Sequence, residues 1–247
     1  MHFFNISFLF IRQLRFPFSK SSWIALLSLF FLTCTSNRSR KLRTTSPTTF
    51  VYIQQVIPDA LYDIRYASKH NFIGKPINGY KKSTAMLSAP AADSLKKVQD
   101  YLKTRGYRIK IFDAYRPQRA VNHFIKWAKA TDDTLMKRAF YPQIDKRDLF
   151  KLGYIAAKSG HTRGSTVDLT IVDIITGKEV DMGSSFDFFG NISHHGSHEI
   201  NAEQEAHRLI LKEAMLRFGF KALPEEWWHY TLTDEPYPTT YFDFEVK

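Results

Sequence analysis

The 247-residue sequence has one cysteine, Cys34, which excludes an internal disulfide framework and any cysteine-rich metal site. A metal, if the chain holds one, must be bound by histidine and carboxylate side chains. Acids are missing altogether from the first fifty positions, where Arg12, Arg15, Lys20, Arg38, Arg40, Lys41 and Arg43 carry seven of the 35 basic charges. Setting those seven aside leaves 28 basic against 24 acidic residues, so the net charge of +11 belongs largely to the leader. It gives no ground for a nucleic-acid partner. There is no internal repeat, and no apolar run is long enough for a comfortable membrane span.

What the first residues do contain reads as a targeting signal. A basic portion ending at Lys20 precedes an apolar run from Trp23 to Thr33, about the length of a signal-peptide core. Cys34 closes the run, where a bacterial lipoprotein carries its lipidated cysteine, although Phe31, Leu32 and Thr33 replace the usual leucine and small residues. Residues 1–34 are therefore expected to export the protein to the periplasm or cell envelope, with attachment to the membrane through the leader or a lipidated Cys34 as one outcome. The alternative is an uncleaved anchor, or an upstream start assigned to a cytoplasmic enzyme. Residues 35–50, rich in Ser, Thr and Arg, read as a flexible tether.

From residue 51 to 247 the pattern is globular, with the 44% hydrophobic and 15% aromatic composition of the chain sufficient for one sizeable core. Val51–Val56 and Leu61–Tyr66 read as short β-type runs. A helix is expected from Pro90 to Arg105, capped by Ser88 and ended by Gly106. Tyr107–Asp113 alternates like a strand and leads into Ala114-Tyr-Arg-Pro117, where Pro117 starts a second helix. Arg116 thus falls at a strand-to-helix junction; by itself it is no more than a surface arginine. Residues 131–158 give few signals. A strand is expected at Val167–Val172 and a final aromatic strand at Trp227–Leu232. A third helix is expected from Ala202 to Phe218, with Asn201 and Gln204 as a capping pair and Gly219 as the stop.

The chemistry concentrates in two stretches. Ser159-Gly-His-Thr-Arg-Gly-Ser-Thr-Val-Asp168 puts one imidazole and one carboxylate on either side of a short turn, and Glu226-Trp-Trp-His229 adds a second imidazole with an acid three residues ahead. Two histidines and an aspartate suffice to hold a catalytic zinc with a fourth position left for water. Glu226 is then free to take the water's proton. His161 and Asp168 lie an odd number of residues apart, so they can converge only if the chain turns between them, and Gly164 supplies that freedom. Of the remaining histidines, His70, His123 and His207 are isolated. His194, His195 and His198 form a dense rival cluster in a Gly/Ser loop, where no strand places a carboxylate beside them; a lid or a supporting loop is the other reading.

Longer motifs carry a resemblance. Ile64-Arg-Tyr-Ala, Asn71-Phe-Ile-Gly-Lys-Pro, Phe112-Asp-Ala-Tyr-Arg-Pro-Gln-Arg-Ala, the 159–170 segment, Phe186-Asp-Phe, Ser193-His-His and Glu226-Trp-Trp-His-Tyr together resemble the zinc D-alanyl-D-alanine dipeptidases associated with vancomycin resistance and D-Ala-D-Ala turnover. The resemblance implies zinc ligands at His161, Asp168 and His229, one ion per subunit, and a catalytic base at Glu226. It places a transition-state-stabilising guanidinium at Arg116 and a site for the substrate's ammonium at Ser159 and Asp187. The activity implied is hydrolysis of the D-alanyl-D-alanine dipeptide in cell-wall precursor turnover. A D,D-carboxypeptidase or endopeptidase on peptidoglycan peptides, and a non-catalytic wall-binding module, are the rivals. The fold expected is α+β: one catalytic domain on a small, mostly antiparallel sheet flanked by about three helices. Oligomeric state is not legible.

Overall fold

The structure, a computed structural model, describes residues 47–247. The leader at 1–34, Cys34 and most of the 35–50 tether lie outside the described residues. The described part is mixed α/β, with a two-stranded and a five-stranded sheet and five helices. None of those helices is long and apolar enough to cross a membrane.

The large sheet runs in the order β2 (Leu61–Tyr62), β4 (Tyr107–Asp113), β5 (Thr166–Asp173), β7 (Glu226–Leu232), β6 (Phe220–Leu223). Only the short β2 edge is parallel to its neighbour; the other pairs are antiparallel. β5, in the middle, is buried along nearly its whole length, and Val167, Leu169 and Ile171 have no exposed surface. Its alternate residues Asp168 and Thr170 point to the other face.

Two long helices pack against the sheet and each other: α2 (Ala89–Lys103) and α5 (Ala202–Arg217). α2 buries Ala91, Leu95, Val98 and Leu102, the stripe that a 3.6-residue period predicts. α5 carries the expected capping box: the Asn201 side chain accepts from the Gln204 amide and the Gln204 side chain accepts from the Asn201 amide. α3 (Gln118–Lys129) starts from Pro117 and buries Val121, Phe124, Trp127 and Ala128.

Three expectations change, the first being Leu61–Tyr66, of which only Leu61–Tyr62 is strand before a 3-10 turn at Arg65–Ala67. Val51–Val56 is not one strand: β1 (Phe50–Tyr52) pairs antiparallel with β3 (Met86–Ser88), and Ile53–Val56 winds into the single turn α1. Ile53, fully buried, and the half-buried Val56, which suggested a strand, serve instead as packing contacts of the core. Ser88 does not cap α2, because its hydroxyl is taken by Ser165 Oγ at 2.8 Å. β6, and the short helix α4 (Lys137–Phe140), gave no usable sequence signal.

The 241–247 segment is woven into the body. Phe50 meets Tyr115, Tyr237, Phe242 and Phe244 ring against ring at centroid distances of 5.1–6.0 Å. Val246 donates its amide to the Gly79 carbonyl and accepts from the Lys81 amide, which fixes the backbone on both sides of Tyr80.

Candidate active site

The sheet register places three polar residues in one line across three adjacent strands. Asp113 of β4 sits opposite Asp168 of β5, and Asp168 sits opposite His229 of β7. Directly paired residues of neighbouring strands share a face, so all three side chains leave the sheet on the side away from Val167 and Leu169. His161 joins them from a 3-10 turn, Gly160–Arg163, that ends at Gly164 with φ +83°. A Cβ there would come within 2.1 Å of the Phe50 ring, so the turn needs glycine for its conformation and for its space. The turn supplies the convergence that the odd spacing demanded.

The resulting cluster is tight. His161 Nε2 lies 3.2 Å from Asp168 Oδ2, His229 Nδ1 lies 3.1 Å from Asp168 Oδ1, and the two imidazole nitrogens are 3.2 Å apart. It is the one group of three potential ligands found among the described residues. His161 Nδ1–H donates to the Ala114 carbonyl at 2.7 Å, which leaves the Nε2 lone pair facing the cluster. A single proton between the imidazoles satisfies one of these contacts and no more. Asp168 Oδ1, buried, has no hydrogen-bond donor despite the nearness of His229. Convergent lone pairs with too few protons between them form a donor set that suits a divalent cation, and two imidazoles with one carboxylate suit zinc.

The electrostatics are those of an anionic hollow, in which a proton on His229 stands where a divalent cation would. Burial favours the neutral form of Asp168, but the adjoining imidazoles outweigh it and hold the carboxyl well below its ordinary range. Burial likewise disfavours the His229 cation, yet Asp168 and Glu226 together push its pKa up to about 9. Glu226 Oε2 stands 3.4 Å from His229 Nδ1. Residues three apart on a regular strand face opposite ways; here the register jumps from Ala222–Tyr230 to Leu223–Glu226, and the irregularity brings both side chains to the same side.

Arg116 reaches the cluster from the loop after β4. Its Nε donates to Asp113 Oδ2 at 2.9 Å and its Nη2 lies 3.5 Å from Asp168 Oδ2, while the guanidinium stacks 4.9 Å from the Tyr66 ring centroid. Asp113 also accepts from Tyr80 OH at 2.6 Å. Sequence reasoning missed both Asp113 and Tyr80. The available signal was an acid ending an otherwise apolar alternating strand, three residues before Arg116.

A cavity of about 260 Å³ opens over the cluster, bounded by Arg116, Ser159, His161, Asp187, Glu226 and His229 among others. It is small, the size for a compact polar ligand rather than a long one. Asp187 is 7% exposed and adopts φ +61°, the one non-glycine residue with positive φ among those described. Its carboxylate accepts from Tyr66 OH at 2.9 Å, a third residue not foreseen beyond its place in Ile64-Arg-Tyr-Ala. Burial, with Asp168 and Glu226 close by, pushes the Asp187 carboxyl well above its ordinary range, an environment that a cationic ligand group relieves. Ser159 lines the cavity at the start of the His161 turn, its hydroxyl spent on no cap.

The rival histidines do not assemble. His194, His195 and His198 border a separate surface hollow; His195 donates its amide to the Pro224 carbonyl, and burial lowers its imidazole pKa to about 4. His123 accepts from the Asn78 amide, and His207 Nδ1 bonds the Asp181 carbonyl, both away from the cavity.

Residues 46–247 match the family described as D-ala-D-ala dipeptidase. The D-alanyl-D-alanine dipeptidase of Enterococcus faecium is 42% identical over 198 residues, covering 80% of this chain and 98% of the relative. Its counterpart in Enterococcus faecalis is 40% identical over 198 residues with the same coverage. That of Streptomyces coelicolor is 38% identical over 197 residues, again 80% of this chain and 98% of the relative.

Proposed function

The chain belongs to the D-ala-D-ala dipeptidase family, and from that premise we propose how its residues divide the work of hydrolysing the D-alanyl-D-alanine dipeptide into two D-alanines. The observation that carries the reading is the meeting of His161, Asp168 and His229, with Glu226 and Arg116 on the cavity side of the cluster. His161, Asp168 and His229 would hold the metal, zinc by the chemistry of the donor set. When bound, the ion supplies Lewis acidity, polarising the scissile carbonyl and acidifying the attacking water.

The protein's own groups do the rest. Glu226 takes the proton of the attacking water and returns it to the departing amine. Arg116, fixed by Asp113 and stacked on Tyr66, points its Nη2 toward the place where negative charge develops and needs no reorganisation to meet it. Asp187, oriented by Tyr66 OH and flanked by Ser159, receives the free ammonium. A substrate capped at its amino end leaves that buried carboxylate without a cation, so the site rejects peptides extended at that end.

Incubation with free D-Ala-D-Ala and, separately, with an N-acylated tripeptide ending in D-Ala-D-Ala tests the reading. Cleavage of the first alone, abolished by a chelator and restored by zinc, is the expected result. Preferential cleavage of the acylated peptide makes the enzyme a D,D-carboxypeptidase instead. We further propose export to the cell envelope for a role in wall-precursor turnover, supported by the basic-then-apolar order of residues 1–34. Cell fractionation tests it: activity in the cytoplasmic fraction, and none with the periplasm or envelope, overturns the proposal.

A further inference from the structure

The 182–194 loop, which carries Asp187, is held from behind by a buried arginine. Arg208, on α5, is 2% exposed. Its Nε donates to the Met182 carbonyl at 2.7 Å, its Nη2 to the Ile192 carbonyl at 2.8 Å and its Nη1 to the His194 carbonyl at 2.8 Å. The three carbonyls bracket Asp187, five residues before it and five and seven after. Burial brings the guanidinium pKa down to about 10, a sign of how poorly this setting solvates a cation. A helix that needed only packing at this position would carry leucine or methionine.

We propose that Arg208 is a positioning residue for substrate binding, clamping both ends of the loop so that Asp187 keeps its left-handed backbone and presents its carboxylate to the cavity. The planar fork spans three acceptors at fixed angles, which a lysine ammonium cannot do. Lesser bonds within the loop work in the same direction: Ser193 Oγ donates to the Phe188 carbonyl at 2.6 Å, and Trp227 Nε1 donates to Ser184 Oγ at 2.9 Å. The inference rests on the assignment of Asp187 to the substrate ammonium.

The test compares Arg208→Met and Arg208→Lys, each alone and combined with Asp187→Asn, in the full zinc-loaded protein, reading KM, kcat, bound zinc and thermal midpoint. Alone, each Arg208 variant should raise KM for D-Ala-D-Ala about tenfold or more, with kcat within about threefold of wild type and zinc content unchanged. Beside Asp187→Asn the same substitution should move KM by less than about twofold, because the group it orients is gone. If Arg208→Met fails to fold, Arg208→Lys, which keeps the charge but loses the fork, decides by the same comparison. A lowered midpoint with unchanged KM, or a KM rise of equal size in both backgrounds, overturns the proposal and leaves Arg208 a purely structural residue. Asp187→Asn with wild-type KM would remove the ammonium assignment and this inference together; a raised KM there beside an unchanged KM in Arg208→Lys removes this inference alone.

Discussion

The two halves of the cavity are built on different principles. The half proposed to be hydrolytic stands on strands: Asp113, Asp168 and His229 are placed by three neighbouring strands and the two ladders between them, with His161 delivered by one glycine-dependent turn. The recognition half stands on a loop whose Asp187 is kept in place by side chains from elsewhere, Tyr66 on one side and Arg208 on the other. A ladder fixes its residues cooperatively and gives way only when the sheet does. A loop clamped by side chains can be altered one contact at a time. Bond making should therefore resist single changes outside the cluster, whereas substrate affinity should be graded.

The sharpest test of that contrast is Glu226→Gln, which keeps shape and removes the base. It should lower kcat by about 10²–10⁴-fold with zinc still bound, as metal analysis and steady-state kinetics will show. A wild-type rate would mean that the proton goes elsewhere. Next comes the weak point of the strand half, the turn at Gly164. Alanine there must adopt positive φ and meet the Phe50 ring, so Gly164→Ala should cost about 2–4 kcal/mol in denaturant unfolding and weaken zinc retention with it. If zinc retention held while stability fell, His161 would be positioned by something other than its turn. In the recognition half, Tyr66→Phe removes a single hydrogen bond to Asp187 and should raise KM by roughly 5- to 30-fold, about 1–2 kcal/mol, with a smaller effect on kcat. The smallest effect belongs to Asn201→Ala, which breaks the capping box of α5. A loss of about 1 kcal/mol, or roughly 2–4 °C in midpoint, with unchanged kinetics would show that Arg208 does its work from a helix whose start can fray.

The same division governs what could be read in the sequence. Local patterns predicted local structure: the 107–113 alternation became β4 residue for residue, and Asn201 with Gln204 became a true capping box. The proposed ligands were legible because each sits beside a strand or turn with its own signature. Asp113 was not, since its importance lies in a register between β4 and β5 that neither segment states alone. Arg208 was hidden for a similar reason: on a helix bearing Glu203, Glu205 and Lys212 it reads as one more solvated charge, and only the fold reveals three carbonyls waiting for it. Ile53–Val56 failed the other way, its β-branched character being satisfied by burial in a single helical turn.

The stitching of residues 242–246 into the body has a consequence for biosynthesis. Tyr80 braces Asp113, and the backbone around Tyr80 is tied down by Val246. Translation produces residues 242–246 after β4, β5 and β7, which carry Asp113, Asp168 and His229, so the brace behind Asp113 is made later than every strand of the cluster it supports.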